Sequence, residues 1–339
     1  MRISEIKAIR KAKIPVENLF EGIKINEKTA LGRAITLAES NNQNHRIAAQ
    51  DLIERCLTIK SSSIRVGITG VPGVGKSTFI ETLGKNLTVL GNKVAVLAVD
   101  PTSTKNKGSI LGDKTRMQQL SLDPNAFIRP SPAGESLGGV AQKTKEAIII
   151  CEAAGYDIIL VETVGVGQSE VAVHNMVDFF LVLKLSGAGD ELQGIKRGIL
   201  ELADAVVINK ADGNNITAAN MAVKEFTRAL HLNPAKENGW VTKVIACSAI
   251  ENSGIQEIWT MITNYIKNNR ESGYFDEHRN EQNKFWLIQT IENRLIENFY
   301  QDKAIQSELE NQLKKVSQGR TSPFNAAEKL LNLAKKHTD

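Results

Sequence analysis

Residues 70–78 read Gly-Val-Pro-Gly-Val-Gly-Lys-Ser-Thr and follow the β-branched run Ile64–Thr69. No other segment restricts the fold so strongly. The spacing G-x-x-x-x-G-K-[ST] calls for a chain that leaves a strand, turns its backbone amides toward an anion and enters a helix at once. Gly70, Gly75, Lys76 and Ser77 hold the fixed places, with Val71, Pro72, Gly73 and Val74 in the turn and Thr78 just after it. Phe79, Ile80, Leu83 and Leu87 then recur at helical spacing, so a helix is expected to open at Lys76. Its amino end presents positive dipole to a phosphate. Lys76 can reach β- and γ-phosphates as a point charge, and the Ser77 hydroxyl can hold Mg²⁺. A glycine-rich turn matching by chance is the alternative, and the flanking pattern argues against it.

Composition removes several classes of function. The chain has 339 residues, enough for one large domain with appendages or for two domains. Its 42 basic and 38 acidic residues leave a net charge of +4, which gives no warrant for a nucleic-acid or anionic-membrane partner. Cys56, Cys151 and Cys247 show no zinc or redox spacing and are expected to be buried thiols in a reducing compartment. The amino terminus lacks an apolar signal core, and runs such as Ala147–Cys151 are too short to span a bilayer. A cytoplasmic protein is expected.

Three regions differ in pattern. Residues 1–60 read as a helical extension. Residues 61–268 read as a nucleotide-binding domain with strands at Ile64–Thr69, Val94–Val99, Ile158–Val161, Phe179–Leu185, Ala205–Ile208 and Val244–Cys247. Such runs, apolar on both faces and joined by helix-length segments, predict an α/β fold with a mostly parallel sheet covered on both sides. Functional loops should leave the carboxyl ends of its strands. Residues 269–339 read as a helical arm in which Phe285, Trp286, Ile288, Ile291, Leu295 and Phe299 make one face amphipathic, followed by a charged helix and a turn at Pro323. An arm of this kind needs a partner surface, its own domain or another subunit.

Base recognition is legible further along. Ala205–Ile208 runs into Asn209-Lys210-Ala211-Asp212, the N-K-x-D arrangement. A carboxylate at Asp212 can accept from guanine N1–H and the exocyclic amine, a donor pair that adenine lacks. Leaving it unpaired penalises the wrong base by about 1–3 kcal/mol or more. Asn209 can support the loop and the Lys210 stem can lie over the ring. Ser248, Ala249 and Ile250 end the next strand and resemble the segment whose backbone amide meets guanine O6.

Acidic candidates stand after two other strands. Glu162 and Gly165 resemble the D-x-x-G segment of GTPases, with glutamate in place of aspartate. Gly165 could sense a γ-phosphate and Glu162 could hold Mg²⁺ directly or through water. Gln168 does not directly follow that glycine, so the water-positioning glutamine of other GTPases is not at its usual place. Asp100, before Pro101, and Asp113 could join the Mg²⁺ shell or orient water; a turn former and a helix N-cap are the plain alternatives. His174, His231 and His278 are isolated in sequence and read as structural or solvated.

Together these segments resemble the GTPases associated with methylmalonyl-CoA mutase, the MeaB/ArgK family. The matching stretches are Gly70–Thr78, Val99–Thr104, Gly112–Met117, Val161–Glu170, Ser186–Gly198 and Asn209–Asp212, within a likeness covering roughly residues 20–275. The resemblance implies a P-loop GTPase of the SIMIBI class, usually a homodimer, using GTP/GDP and Mg²⁺. It implies a chaperone that gates cofactor loading of an adenosylcobalamin-dependent acyl-CoA mutase and protects it from inactivation. It also implies that Ser186–Gly198, with Asp190 and Lys196, is a third switch loop. Lys76, Asp100, Asp113 and Glu162 are then the expected hydrolytic group. A kinase acting on a transport protein lacks an independent sequence signal for a base or acceptor pocket. A metallochaperone GTPase would call for histidine tracts or cysteine clusters, and a targeting GTPase for a methionine-rich domain.

Overall fold

The computed structural model describes residues 15–99, 117–130, 137–163, 169–187, 197–231 and 234–336. Seven parallel strands form one sheet: β1 (Ile64–Gly70), β2 (Val94–Val99), β3 (Ala126–Arg129), β4 (Ile158–Thr163), β5 (Phe179–Leu185), β6 (Ala205–Asn209) and β7 (Lys243–Ala246). Their order is β3-β2-β4-β1-β5-β6-β7. The expected α/β fold is therefore present, and β1 lies at its centre because every one of its residues from Arg65 to Gly70 is buried. The chain leaves β1 for one side of the sheet, returns beside it as β4, then crosses to β5. That reversal opens a crevice at the carboxyl end of β1, where ligands of such sheets bind.

Four strands differ from expectation at their ends: β1 and β6 each run one residue further, to Gly70 and Asn209, and β4 and β7 are also shifted. β4 continues through Glu162 to Thr163, because Ala98 and Val99 of β2 supply two further parallel partners. β7 starts at Lys243 and stops at Ala246, since Cys247 instead donates its amide to Ile208 across the turn. β3 was not expected at all. It is a four-residue edge strand, and its Arg129 is half-buried in an ion pair with Glu39 rather than apolar.

Helices close both faces. On one, α4 (Lys76–Val89), α5 (Gln118–Ser121) and α10 (Ile255–Ser272) deliver Phe79, Ile80, Leu120, Ile258 and Ile262 to the core beneath β1. On the other, α6 (Leu137–Ala153) buries Ala147, Ile148 and Cys151, and carries α2 (Lys28–Ala38) and α3 (Gln43–Leu57) on its outer side. With α1 (Val16–Lys24) these are the helices expected before residue 60. Further helices among the described residues are α7 (Ser169–His174), α8 (Arg197–Leu202) and α9 (Ile216–Leu230), the last preceded by a 3-10 turn at Gly213–Asn215. All three cysteines are buried; desolvation pushes the Cys56 thiol up to about 11 and Cys247 to about 12. Among the described residues no helix is long and apolar enough to cross a membrane.

The chain divides into two compact units, up to Gln282 and from Asn283 onward. α11 (Tyr274–Gln301) begins in the first and ends in the second. In the second unit α12 (Lys303–Ser317) packs on α13 (Pro323–Lys336), burying Ile305, Ala326 and Leu330. The turn expected at Pro323 lies directly before it, at 318–321. Pro323 is the first residue of α13, where its missing N–H costs nothing, and Ser322 Oγ accepts from the Asn325 amide at 3.1 Å. Along α11 the side chains of Leu287, Ile288, Ile291, Leu295 and Ile296 are each more than half exposed.

At the amino end of β1 a buried ion cluster fixes the sheet. Arg279 grips Asp178 with Nε and Nη2, both at 2.7 Å, and Asp178 also accepts from the Arg65 amide at 2.8 Å. The Arg65 side chain meets Glu152 through bonds of 2.7 and 2.8 Å. Burial pushes the Asp178 carboxyl up, but the bonds and charge of Arg279, with Arg65, outweigh it and hold the group below the usual carboxylate range. Lys145 is buried nearby with no partner for its Nζ among the described residues. Desolvation, with repulsion from Arg65, pulls its amine down to about 7. Replacing Arg279 with methionine is expected to destabilise the protein by about 3–5 kcal/mol in urea unfolding, because Asp178 is left charged and buried. Lys145 has the opposite sense. The unfolded chain keeps its proton up to about pH 10, whereas the folded protein gives it up near 7. Stability should therefore rise with pH across that interval, and Lys145→Met should flatten the rise.

Candidate nucleotide site

The phosphate-loop segment forms as its glycines dictate. β1 ends at Gly70, the turn Val71–Gly75 follows, and α4 starts at Lys76. Gly75 has φ +95°, and a Cβ there would lie 2.8 Å from Asn209 Nδ2. No side chain larger than hydrogen fits without moving that amide. Val74 is fully buried and anchors the turn to the core, whereas Pro72, Gly73 and Thr78 face outward. Lys76 is 8% exposed, and its Nζ donates to the carbonyls of Gly70 at 2.8 Å and Val71 at 3.3 Å. The ammonium is thus stationed inside the loop, bent back on the backbone that would surround a phosphate.

Beside it, parallel pairing sets Glu162 opposite Ile68, one strand over from the loop. Ser77 Oγ donates to Glu162 Oε1 at 3.4 Å, so a hydroxyl and a carboxylate converge at the mouth of the loop. Two hard oxygen donors of this kind suit Mg²⁺. Just below, Thr163 Oγ1 donates to Thr69 Oγ1 at 2.7 Å, tying β4 to β1 in the buried interior. Asp100, Asp113, Gly165, Gln168, Asp190 and Lys196 lie outside the described residues.

The base-recognition segments converge from β6 and β7. Asn209, 1% exposed, donates from Nδ2 to the Val74 carbonyl at 2.8 Å. The adjacent Lys210 takes φ +60°, uncommon for a side-chain-bearing residue, and its Nζ donates to Gly73 O at 2.9 Å. Both residues therefore fasten onto the phosphate loop rather than standing apart from it. Asp212 Oδ2 accepts from Ser248 Oγ at 2.5 Å, and the same hydroxyl accepts from the Glu251 amide at 3.1 Å. Ala249 N–H points to Asn209 Oδ1 at 3.4 Å, and Ala249 O accepts from Thr82 of α4 at 2.7 Å. Ile250 is 77% exposed beside this turn.

One residue here carried no sequence signal. Asn215 donates to the Lys210 carbonyl at 2.6 Å and accepts from Ser186 Oγ, also at 2.6 Å. It holds the left-handed Lys210 in place and links it to the end of β5. An asparagine early in a polar stretch resembles any helix start, so only its position in space reveals this.

With that geometry in view, comparison with known proteins decides the lineage. The family described as "Methylmalonyl Co-A mutase-associated GTPase MeaB" matches residues 31–304. The chain belongs to the MeaB family. It is a GTPase, and guanine nucleotide is its ligand. A "Probable GTPase" of Mycobacterium tuberculosis is 47% identical over 322 residues, 94% of this chain and 95% of that protein. The "Methylmalonic aciduria type A homolog, mitochondrial" of Mus musculus is 45% identical over 330 residues, 94% of this chain and 80% of its own. Among solved structures, one titled "Crystal structure of LAO/AO transport system kinase" superposes with a TM-score of 0.74 at 34% identity, covering 96% of this chain and all of that one.

Gly75→Ala should cost at least about tenfold in affinity for a fluorescent GTP analogue, since it displaces Asn209 and forbids the native φ. Unfolding midpoints measured alongside should move far less than the affinity.

Proposed function

We propose that this GTPase is a chaperone for an adenosylcobalamin-dependent acyl-CoA mutase, gating cofactor loading and guarding the mutase against inactivation. The observation that carries the reading is the convergence of Lys76, the Ser77–Glu162 pair and Asp212 at one crevice, in a chain whose family is described by its association with methylmalonyl-CoA mutase. The crevice supports triphosphate binding and base selection. The kinase reading suggested by the similar solved structure's title takes second place, because the sequence carries no independent signal for a catalytic base or an acceptor pocket.

In this reading the loop amides of residues 71–77 bind the phosphates and Lys76 turns from the Gly70 and Val71 carbonyls to the β,γ-bridge. Bound Mg²⁺, held by Ser77 and Glu162, would neutralise charge on the phosphates. Asp212 accepts from guanine, with Ser248 fixing its carboxylate so that no rotamer search accompanies binding. Asp100 and Asp113 remain proposed helpers for the attacking water, with Gly165, Gln168, Asp190 and Lys196 as switch residues. Arg116 and Arg197 are the candidates for an arginine at the γ-phosphate; the free enzyme turns over slowly, and its partner accelerates it by ordering these loops.

The exposed apolar stripe of α11 recurs at three- and four-residue spacing, and we assign it to a second copy of this chain. Leu295→Lys should then convert a dimer to a monomer in light scattering.

Lys76→Ala is expected to weaken GTP binding by about a hundredfold, two to three kcal/mol for a lost charge-assisted contact. Asp212→Asn should lower the preference for GTP over ATP by about tenfold or more. Normal hydrolysis by Lys76→Ala would remove the site assignment. Pull-down of a mutase scored with GTP, GDP and no nucleotide tests the chaperone; phosphate transfer to a transport protein instead would favour the kinase.

A further inference from the structure

At the end of the sheet opposite the nucleotide crevice lies a second cavity, of about 360 Å³, in the size range of small-molecule sites. It opens where β5 and β6 begin. Two of its walls are the last residues of the short helices α7 and α8, His174 from the one and Glu201 with Leu202 from the other. These two helices pack on each other.

The walls are aromatic. His174 stands edge-on to Phe180 at 5.7 Å and to His278 at 6.3 Å, and Tyr274 stacks flat on His278 at 5.7 Å. The two histidines, isolated in sequence, thus share one wall. Burial pulls the His174 imidazole down to about 4, so it adds no positive charge at neutral pH. The Tyr265 ring lines the floor, itself edge-on to Trp240 at 5.0 Å.

The charge is one-sided. The lining holds four carboxylates, Asp178, Glu201, Asp204 and Glu237, against the single lysine Lys236. Asp204 is occupied by Lys236 at 2.6 Å and by the Phe180 amide at 2.7 Å; Asp178 is occupied by Arg279. Glu201 and Glu237 are exposed and make no hydrogen bond or ion pair among the described residues. Aromatic rings and two carboxylates with no described partner line the same cavity, a combination that suits an organic cation: the rings pack against it and the acids pair with its N–H groups. An anion would meet net negative charge, and an uncharged apolar ligand would gain nothing from those acids.

We propose that this cavity is a regulatory binding site for a small organic cation carrying a primary ammonium or guanidinium group. The regulatory half rests on the GTPase reading: α7 and α8 each follow, in sequence, a segment assigned above to nucleotide response, and a ligand touching both helix ends bears on both.

Agmatine and putrescine, with acetate as the anionic control, test it by calorimetry on the full chain; a capped tripeptide Gly-Arg-Gly distinguishes an arginine side chain from a free amine as the source. Saturable binding of agmatine or of the peptide, weakened at least tenfold by Glu201→Gln combined with Glu237→Gln, is expected, and the tighter of the two names the source. Both glutamates are exposed, so the double variant should fold, which an unchanged unfolding midpoint checks. Cation binding that is undetectable, or unaffected in the double variant, or no stronger than that of acetate, would overturn the site. GTP turnover is measured first without amine, where its absence would count against the GTPase reading alone. Turnover altered at least twofold at saturating agmatine, in the native chain and not in the double variant, is expected; unaltered turnover would overturn the regulatory half.

Discussion

The bond from Asn209 Nδ2 to the Val74 carbonyl joins two loops that are far apart in sequence and that the proposed function sets on one ligand. The phosphate loop ends β1 and the base loop ends β6, with β5 between them. In the proposed site a nucleotide spans that distance, so any slack between the loops would be taken from binding energy. Asn209 removes the slack at a buried position, where an unmade bond would cost about 1–3 kcal/mol. Lys210 repeats the tie at the surface through Gly73. The glycine at position 75 is the other half of the same constraint, because the amide fits only where no Cβ stands.

The opposite end of the sheet follows a different rule. Strands of a parallel sheet begin with backbone amides that the turn cannot satisfy, and here carboxylates take them. Asp178 receives the Arg65 amide and Asp204 receives the Phe180 amide. Each carboxylate is then neutralised from outside the sheet, Asp178 by Arg279 of α11 and Asp204 by Lys236. This alignment explains why acids sit just before β5 and β6, places where sequence reading assigns them no role. It also concentrates charge around the second cavity without leaving either of these buried carboxylates unpaired.

The legible parts of the sequence were those where one residue type answers one local demand. Gly75-Lys76-Ser77 and Asn209–Asp212 satisfy backbone and ligand geometry within a few residues, so both segments announced themselves. The central strands did so too, because burial on both faces forces runs such as Phe179–Leu185. What stayed hidden depends on partners distant in the chain. β3 is a four-residue edge whose Arg129 is satisfied by Glu39, 90 residues earlier. Asn215, and the meeting of His174 with His278, carry no local pattern. Pro323 was legible as the site of a turn but not as the start of α13: proline both ends and begins helices, and Ser322 accepting from the Asn325 amide decides between them.

β5 and β6 connect the two ends. Each starts on a carboxylate at the cavity, and each finishes at the nucleotide loops, β5 at Leu185 one residue before Ser186 and β6 at Asn209 itself. Both are buried and hydrogen-bonded on each side, so they move little and cannot by themselves relay a signal. Whatever passes between the ends must run through elements that are less tightly held. α7 and α8 are six residues each and lie over the sheet beside one another. Short helices of this length owe their stability to packing and little to internal cooperativity. A ligand contact at His174 or Glu201 therefore falls on an element with little internal cooperativity, whereas β5 is held by parallel ladders on both sides.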